Sequence, residues 1–250
     1  YSKSPELLIQ GFFMFWQETK ITQNVSAGNN VSYICRMKDE EKEKSCQLIG
    51  GCLDLFMKFG IKSLTMDDIS RKMGISKKTL YQFVKDKKDL VNKGMKLCLE
   101  EEQQVLAQVT LDSENAIDEL IGFTRFVNSR LSDLHASVIY DIQKYHPESW
   151  GMMENHKKDF VRNSILENSK RGIKEGIYRE NLNPEIITSL YMLMMDGFFQ
   201  AEETFGKEVK LEGLHLEMIR YHVRGVANEK GLVLLKETLN KEENNHLDID

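Results

Sequence analysis

The sequence predicts an all-α chain: a small N-terminal three-helix domain built around a helix-turn-helix pair, then a larger C-terminal helical domain. Three observations carry this. Only three prolines occur in 250 residues, at Pro5, Pro147 and Pro184, so long stretches lack the residue that most disrupts helices. No stretch shows the period-two alternation of a half-buried strand, whereas apolar residues recur at helical spacing along most of the chain. Helix start and stop signals punctuate it in order. Hydrophobic residues make up 41% of the chain and charged residues 29%, enough to build a core and to keep it in solution.

Residues 1–36 stand apart. They begin at Tyr1, run through an apolar and aromatic stretch from Leu7 to Trp16, and turn polar between Ile21 and Ser32. With only Lys3 as a positive flank, this is a poor secretion signal. Met37-Lys-Asp-Glu-Glu reads as the natural start, and 1–36 as a non-native or disordered extension. Residues 37–95 are the expected first domain, 96–239 the second, and 240–250 a flexible tail.

The first helix is expected from Glu40 to Phe59, with Leu48, Ile49, Cys52, Leu53, Leu55, Phe56 and Phe59 on its apolar side and Gly60 closing it. Thr65 is an N-cap, and Asp68 three residues later can answer the free amides of the first turn. Met66, Ile69 and Met73 share a face. Gly74 supplies the left-handed residue that ends the helix, Ile75 plugs the corner, and Ser76 caps a second short helix, Thr79 to Phe83. Asp86 is a third N-cap, with Asp89 at its third position. Two short helices joined by a tight turn with Gly, the second rich in lysine and hydroxyls, form a helix-turn-helix pattern at about 65–84.

Charge is concentrated there. From Lys58 to Lys96 eleven lysines and arginines face four aspartates, so this stretch carries +7 in a chain whose total is -5. A basic module on an acidic protein points to a polyanionic partner for that module.

The run Leu55-Phe56 … Phe59-Gly60, Thr65-Met-Asp-Asp-Ile69, Met73-Gly74-Ile75-Ser76-Lys77-Lys78-Thr79-Leu80-Tyr81 and Lys87-Lys88-Asp89-Leu90 resembles the tetracycline-repressor (TetR) family of bacterial transcriptional regulators over roughly residues 42–95. One feature departs. The family usually has His-Phe two and three residues after the tyrosine, and this chain has Phe83-Val84, so no phosphate contact from that histidine carries over. The resemblance implies a DNA-binding domain, with a C-terminal domain for ligand binding and dimerisation. Thr65, Tyr81 and Lys87 match the family's phosphate-contacting positions. Ser76 opens the recognition helix, and Lys77, Lys78 and Thr79 are the candidates for base edges and nearby phosphates.

Helix 4 is expected from Asp86 towards Val109, reaching out of the basic module as a lever. Ser113 is expected to cap helix 5, with Ile117, Leu120, Ile121, Phe123, Val127, Leu131 and Leu134 at helical spacing. Val138 to Tyr145 and Glu148 to Lys174 follow, with Gly172 and Gly176 at the latter's end. Asn183-Pro184 is an N-cap followed by Pro at the first helical position. The next helix, Glu185 to Thr204, is apolar nearly all round and is expected to be buried on several sides. Leu214 to Val226 is the last main helix, and 232–239 one further short one.

Chemistry-bearing constellations are scarce. The cysteines, Cys35, Cys46, Cys52 and Cys98, form no C-x-x-C pair. The six histidines, His135, His146, His156, His215, His222 and His246, show no converging ligand spacing, so no metal site is expected. No Gly-rich phosphate loop or nucleophile elbow occurs. Neither an enzyme nor a cofactor is indicated, and no apolar run reaches transmembrane length.

Together these point to a cytoplasmic bacterial regulator, a repressor that binds a palindromic operator as a homodimer and is released by a small apolar or aromatic molecule. Tyr140, Tyr145, Trp150, Met153, Met192 and Met195 are the candidate pocket, because methionine and aromatic groups adapt to apolar ligands. Tyr191, Gly197, Phe198, Met218 and His222 are the candidate dimer surface. The alternative is a helical ligand-binding or adaptor protein whose basic hairpin meets an acidic protein partner. Steep salt dependence of binding to duplex DNA separates the two.

Overall fold

The computed structural model describes residues 40–132, 134–135, 137–199 and 210–240. The expected extension 1–36 and residues 241–250 of the expected tail lie outside them. The helices are α1 (Glu40–Phe59), α2 (Met66–Lys72), α3 (Lys77–Phe83), α4 (Lys87–Asp112), α5 (Ala116–Ser132), α6 (Ser137–Tyr145), α7 (Pro147–His156), α8 (Arg162–Lys174), α9 (Pro184–Phe199), α10 (Leu211–Val226) and α11 (Glu229–Asn240). Asn240, expected in the tail, is the last residue of α11. A π-helical turn, Lys157–Val161, joins α7 to α8.

The caps act as the sequence indicates. Thr65 and Asp68 form a reciprocal capping box at α2, and Ser76 and Asp86 accept from the backbone amides of Thr79 and Asp89. Gly60 and Gly74 have positive φ of 80 and 66, a conformation glycine reaches without Cβ strain. One cap moves. Ser113, expected to open helix 5, instead closes α4, its amide and hydroxyl both donating to the Val109 carbonyl. Asn115 Oδ1 accepts from the Ile117 and Asp118 amides and opens α5. Ser113 lies two residues too early for its hydroxyl to reach those donors.

Two cores organise the described residues. The head core gathers Ile49, Cys52, Phe56, Ile61, Leu64, Ile69, Leu80, Val84, Leu90 and Val91. Val138 and Ile142 of α6 belong to the same cluster, so α6 is docked on the head. The body core is built on Ile117, Leu120, Ile121, Tyr178, Ile219, Val223 and Val226. Helix α4 serves both regions: Leu90 and Val91 pack in the head, and Leu106 and Val109 pack with Phe123 further along. It is one unbroken 26-residue helix, about 39 Å long at 1.5 Å per residue.

The Gly172–Arg179 run forms a tight corner. Gly176 has a φ of 68, and a Cβ at Gly172 would fall inside the Tyr178 ring. The Tyr178 hydroxyl donates to Asn168 Oδ1 at 2.9 Å. Asn168 in turn donates to Glu119, which Arg171 also holds. Tyr178 pairs with Ala227 as an isolated antiparallel bridge.

Helix α9 departs from expectation. Its apolar residues do not all find cover within the chain. Tyr191 and Phe198 are buried, but Ile186, Leu190, Leu193 and Met194 are exposed. They recur along one face, so α9 is buried on one side and bare on the other.

Candidate nucleic-acid interface

The caps and the head core fix a basic surface. Leu80 anchors α3 in the core, while Ser76, Lys77, Lys78, Tyr81 and Gln82 are exposed and Thr79 is half-buried. The Thr79 hydroxyl meets Ser76 Oγ at 2.8 Å, which holds the first turn. Tyr81 is among the most exposed aromatic side chains of the described residues, a position that spends apolar area on water unless a partner covers it. Gln82, not singled out from sequence, stands on the same exposed side; an amide that can read a base edge was the available signal.

Lysines are positioned by backbone carbonyls. Lys87 Nζ donates to the Leu64 carbonyl at 2.6 Å, and Lys93 Nζ to the Phe83 carbonyl at 2.6 Å. Burial lowers the Lys87 pKa from its ordinary value, with nearby Asp141 opposing. The Thr65 side-chain and backbone hydrogen bonds hold Asp68 below the usual carboxylate range, so the capping box keeps its charge. Burial pushes Asp89 the other way but is outweighed by the Lys85 amide and Lys93, which hold it low. Lys77 forms an exposed ion pair with Asp67, a contact that a phosphate can replace at little cost. The Thr65 hydroxyl is likewise engaged, with Asp68.

The six expected pocket residues are not brought together. Tyr140 and Tyr145 stand exposed on α6, on the outside of the molecule. Trp150 packs against the head core, and Met192 and Met195 against the body core; Met153 is half-buried on α7. Sequence spacing alone did not show that α6 turns its aromatic side outward and its Val138–Ile142 side to the head. The expected dimer residues also divide. Gly197 is exposed with open space around it. Tyr191, Phe198, Met218 and His222 are buried inside the chain, Phe198 and Met218 at 4% and 7% exposure. The exposed large apolar side chains of α9 and α10 are Ile186, Leu190, Leu193, Met194 and Tyr221. Among the described residues no helix is long and apolar enough to cross a membrane.

Residues 48–93 match the family model of bacterial regulatory proteins of the tetR family. This stretch is a DNA-binding module of the tetR type. Relatives extend the likeness beyond the DNA-binding module. The HTH-type transcriptional regulator YvaF of Bacillus subtilis (strain 168) is 21% identical over 143 residues, covering 56% of this chain and 73% of its own. A TetR-family transcriptional regulator from Agrobacterium tumefaciens has the same fold, with a TM-score of 0.56 and 16% identity over 74% of this chain and 99% of its own. A transcriptional regulator from Saccharomonospora viridis, solved in complex with choline, gives 0.58 and 13% identity over 75% and 100%. The chain is thus all-helical, with a tetR-type helix-turn-helix module followed by a helical body, the fold of these solved regulators.

Proposed function

We propose that this chain is a cytoplasmic TetR-family repressor that binds a palindromic operator as a homodimer and leaves it when a small molecule binds the body. In this reading residues 37–95 form the DNA-binding domain and 96–239 the domain for ligand and dimer contacts. The observation that carries it is the exposed basic face of α3, locked by three N-caps on a buried head core. Ser76, Lys77, Lys78 and Thr79 enter the major groove. Thr65, Tyr81 and Lys87 hold phosphates, and the N-terminus of the long α4 favours an anion beside Lys87.

The test is fluorescence anisotropy on the tightest duplex selected from a random pool, with a salt titration. Lys78→Ala is expected to cost about 1–3 kcal/mol and to relax preference at one base pair. Lys87→Ala is expected to weaken all sequences alike and to flatten the salt slope by about one unit. Equal behaviour of the two would show that readout and positioning are wrongly divided between them. Salt-insensitive binding, equal on selected and random duplexes, would remove the DNA reading.

The effector is expected between α4, α7 and α9 rather than around Tyr140 and Tyr145. There His156 Nε2 lies 3.4 Å from Glu102 Oε1, with no hydrogen bond made to that nitrogen. Its ring stacks on Phe160, centroids 5.0 Å apart. The π-helical turn begins at the next residue, and such turns gather at functional sites. Glu102 lies on α4, so a ligand inserted here acts directly on the lever. A neighbour of this fold holds choline; this chain's effector is expected to carry a polar group for Glu102 and His156 and an apolar body for Phe160, Met192 and Met195. Linkage requires the duplex and the effector to weaken each other by the same factor, typically about 5- to 150-fold. Calorimetry with and without saturating duplex checks this, and equal affinities would disqualify a compound as inducer.

A further inference from the structure

Two aromatic residues of α6, Tyr140 and Tyr145, stand exposed beside the head. Lys62 Nζ donates to the Tyr145 hydroxyl at 3.1 Å and sits 4.8 Å from its ring centroid. Lys144 Nζ donates to the Tyr140 hydroxyl and lies 4.9 Å from that ring and 5.6 Å from the Tyr145 ring. The two rings meet edge to face at 6.4 Å. All four side chains are exposed. Among the described residues neither ammonium is within ion-pair distance of a carboxylate, so their charge is directed to solvent.

The patch is held in place. Buried Asp141 accepts the Lys62 amide at 2.8 Å, tying the α1–α2 loop to α6. The His135 amide donates to the Met57 carbonyl at 2.8 Å on the same joint. That loop continues through Leu64, whose carbonyl takes Lys87, into Thr65. The patch therefore adjoins the positions proposed above to hold phosphates. Each tyrosine oxygen accepts from a lysine, which leaves its own hydrogen free to donate.

We propose that Lys62, Lys144, Tyr140 and Tyr145 form a second DNA-backbone contact, in which the ligand-binding body itself grips phosphates flanking the sequence read by α3. The proposal rests on the DNA-binding reading. Duplex DNA is the occupant that fits: the patch is cationic on a chain of net charge -5, it continues the head's basic surface, and it offers two ammonium groups and two hydroxyls to a phosphate row. It also gives the body a direct hold on DNA, so a shift of α6 releases contacts as well as moving α3.

The probe is the duplex selected from a random pool, prepared trimmed to its selected bases and with about ten added base pairs on each side. Wild type is expected to bind the extended duplex more tightly, with a salt slope steeper by about two units. Lys62→Ala/Lys144→Ala, both exposed positions, is expected to bind the trimmed duplex like wild type and to gain nothing from the extension. Tyr140→Phe/Tyr145→Phe is expected to lose part of the gain. Neutral methylphosphonates at the flanking phosphates should weaken wild type and leave the lysine double variant unchanged. Equal slopes for wild type on both duplexes, or a length gain that survives in the double variant, would overturn the proposal while the DNA reading stands. No binding of either duplex by wild type would overturn both.

Discussion

Leu190→Glu and Leu193→Glu are each expected to give a folded monomer whose affinity for the selected duplex falls by about 10²–10⁴-fold, the gain that linking two sites confers. A seven-residue recognition helix touches too few bases to be selective alone, and such modules bind as two-fold pairs. The face that would pair is bare in the single chain. Ile186, Leu190, Leu193 and Met194 form an exposed stripe on α9, with Leu193 at 65% exposure, and Tyr221 of α10 is exposed at 76%. Gly197 continues the stripe with no atom near the place a Cβ would occupy, so a partner backbone can come close. A contiguous apolar face of this kind marks an interaction site. A glutamate there adds charge where a second copy must exclude water, without touching the chain's own core. Phe198→Glu behaves differently: that ring is buried inside the chain, 6.2 Å from the His215 ring, so a charge there unfolds the body instead. Light-scattering mass and melting temperature distinguish the two. A dimeric mass retained by both leucine variants would move the interface elsewhere.

The head was legible because its signals are local. Thr65, Gly74, Ser76 and Asp86 each dictate backbone conformation within four residues, and each cap forms at the position the sequence assigns. In the structure Leu80 turns inward, and Lys77, Lys78 and Tyr81 face outward. The body was legible only as a succession of helices. Whether an apolar side chain of α9 faces the chain's own core or a second copy depends on what packs against it, and periodicity carries no such information. For a helix apolar on every side, the pattern names no preferred face, so Tyr191 and Phe198 could not be told from Leu190 and Leu193. The same limit applies to the candidate pocket. Tyr140 and Tyr145 share α6 with Val138 and Ile142, and only the docking of that helix on the head decides that the aromatic side is outermost. Asp141 was overlooked for a related reason: a lone aspartate in a helix reads as surface until the Lys62 amide, 79 residues away in sequence, is found bonded to it.

Acidification from pH 7 to 5 is expected to remove about 2 kcal/mol of stability for each of two buried histidines, His215 and His222. Burial pushes both down to about 4. His215 is neutral in its site, its Nδ1 donating to Asn128 Oδ1 at 2.7 Å. His222 lies edge-on to Tyr191, ring centroids 5.0 Å apart, and burial also raises the Tyr191 hydroxyl's pKa, with Glu102 contributing. Neither environment accommodates an added positive charge. The unfolded chain, with histidines near their ordinary value of about 6.5, takes up these protons first. Stability is therefore complete above about pH 6.5 and is lost as pH falls towards 4, because there the unfolded state binds more protons than the folded one. Both histidines belong to α10, and their partners Tyr191 and Phe198 to α9, so the loss falls on the two helices proposed to pair. Denaturant midpoints measured between pH 4.5 and 7.5 check this. His215→Gln/His222→Phe is expected to lower the midpoint at pH 7 through imperfect packing but to flatten its pH dependence over that window. A slope unchanged in the double variant would assign the acid sensitivity to other groups, and a wild-type midpoint that does not fall between pH 6.5 and 5 would show that water reaches both rings in the folded protein.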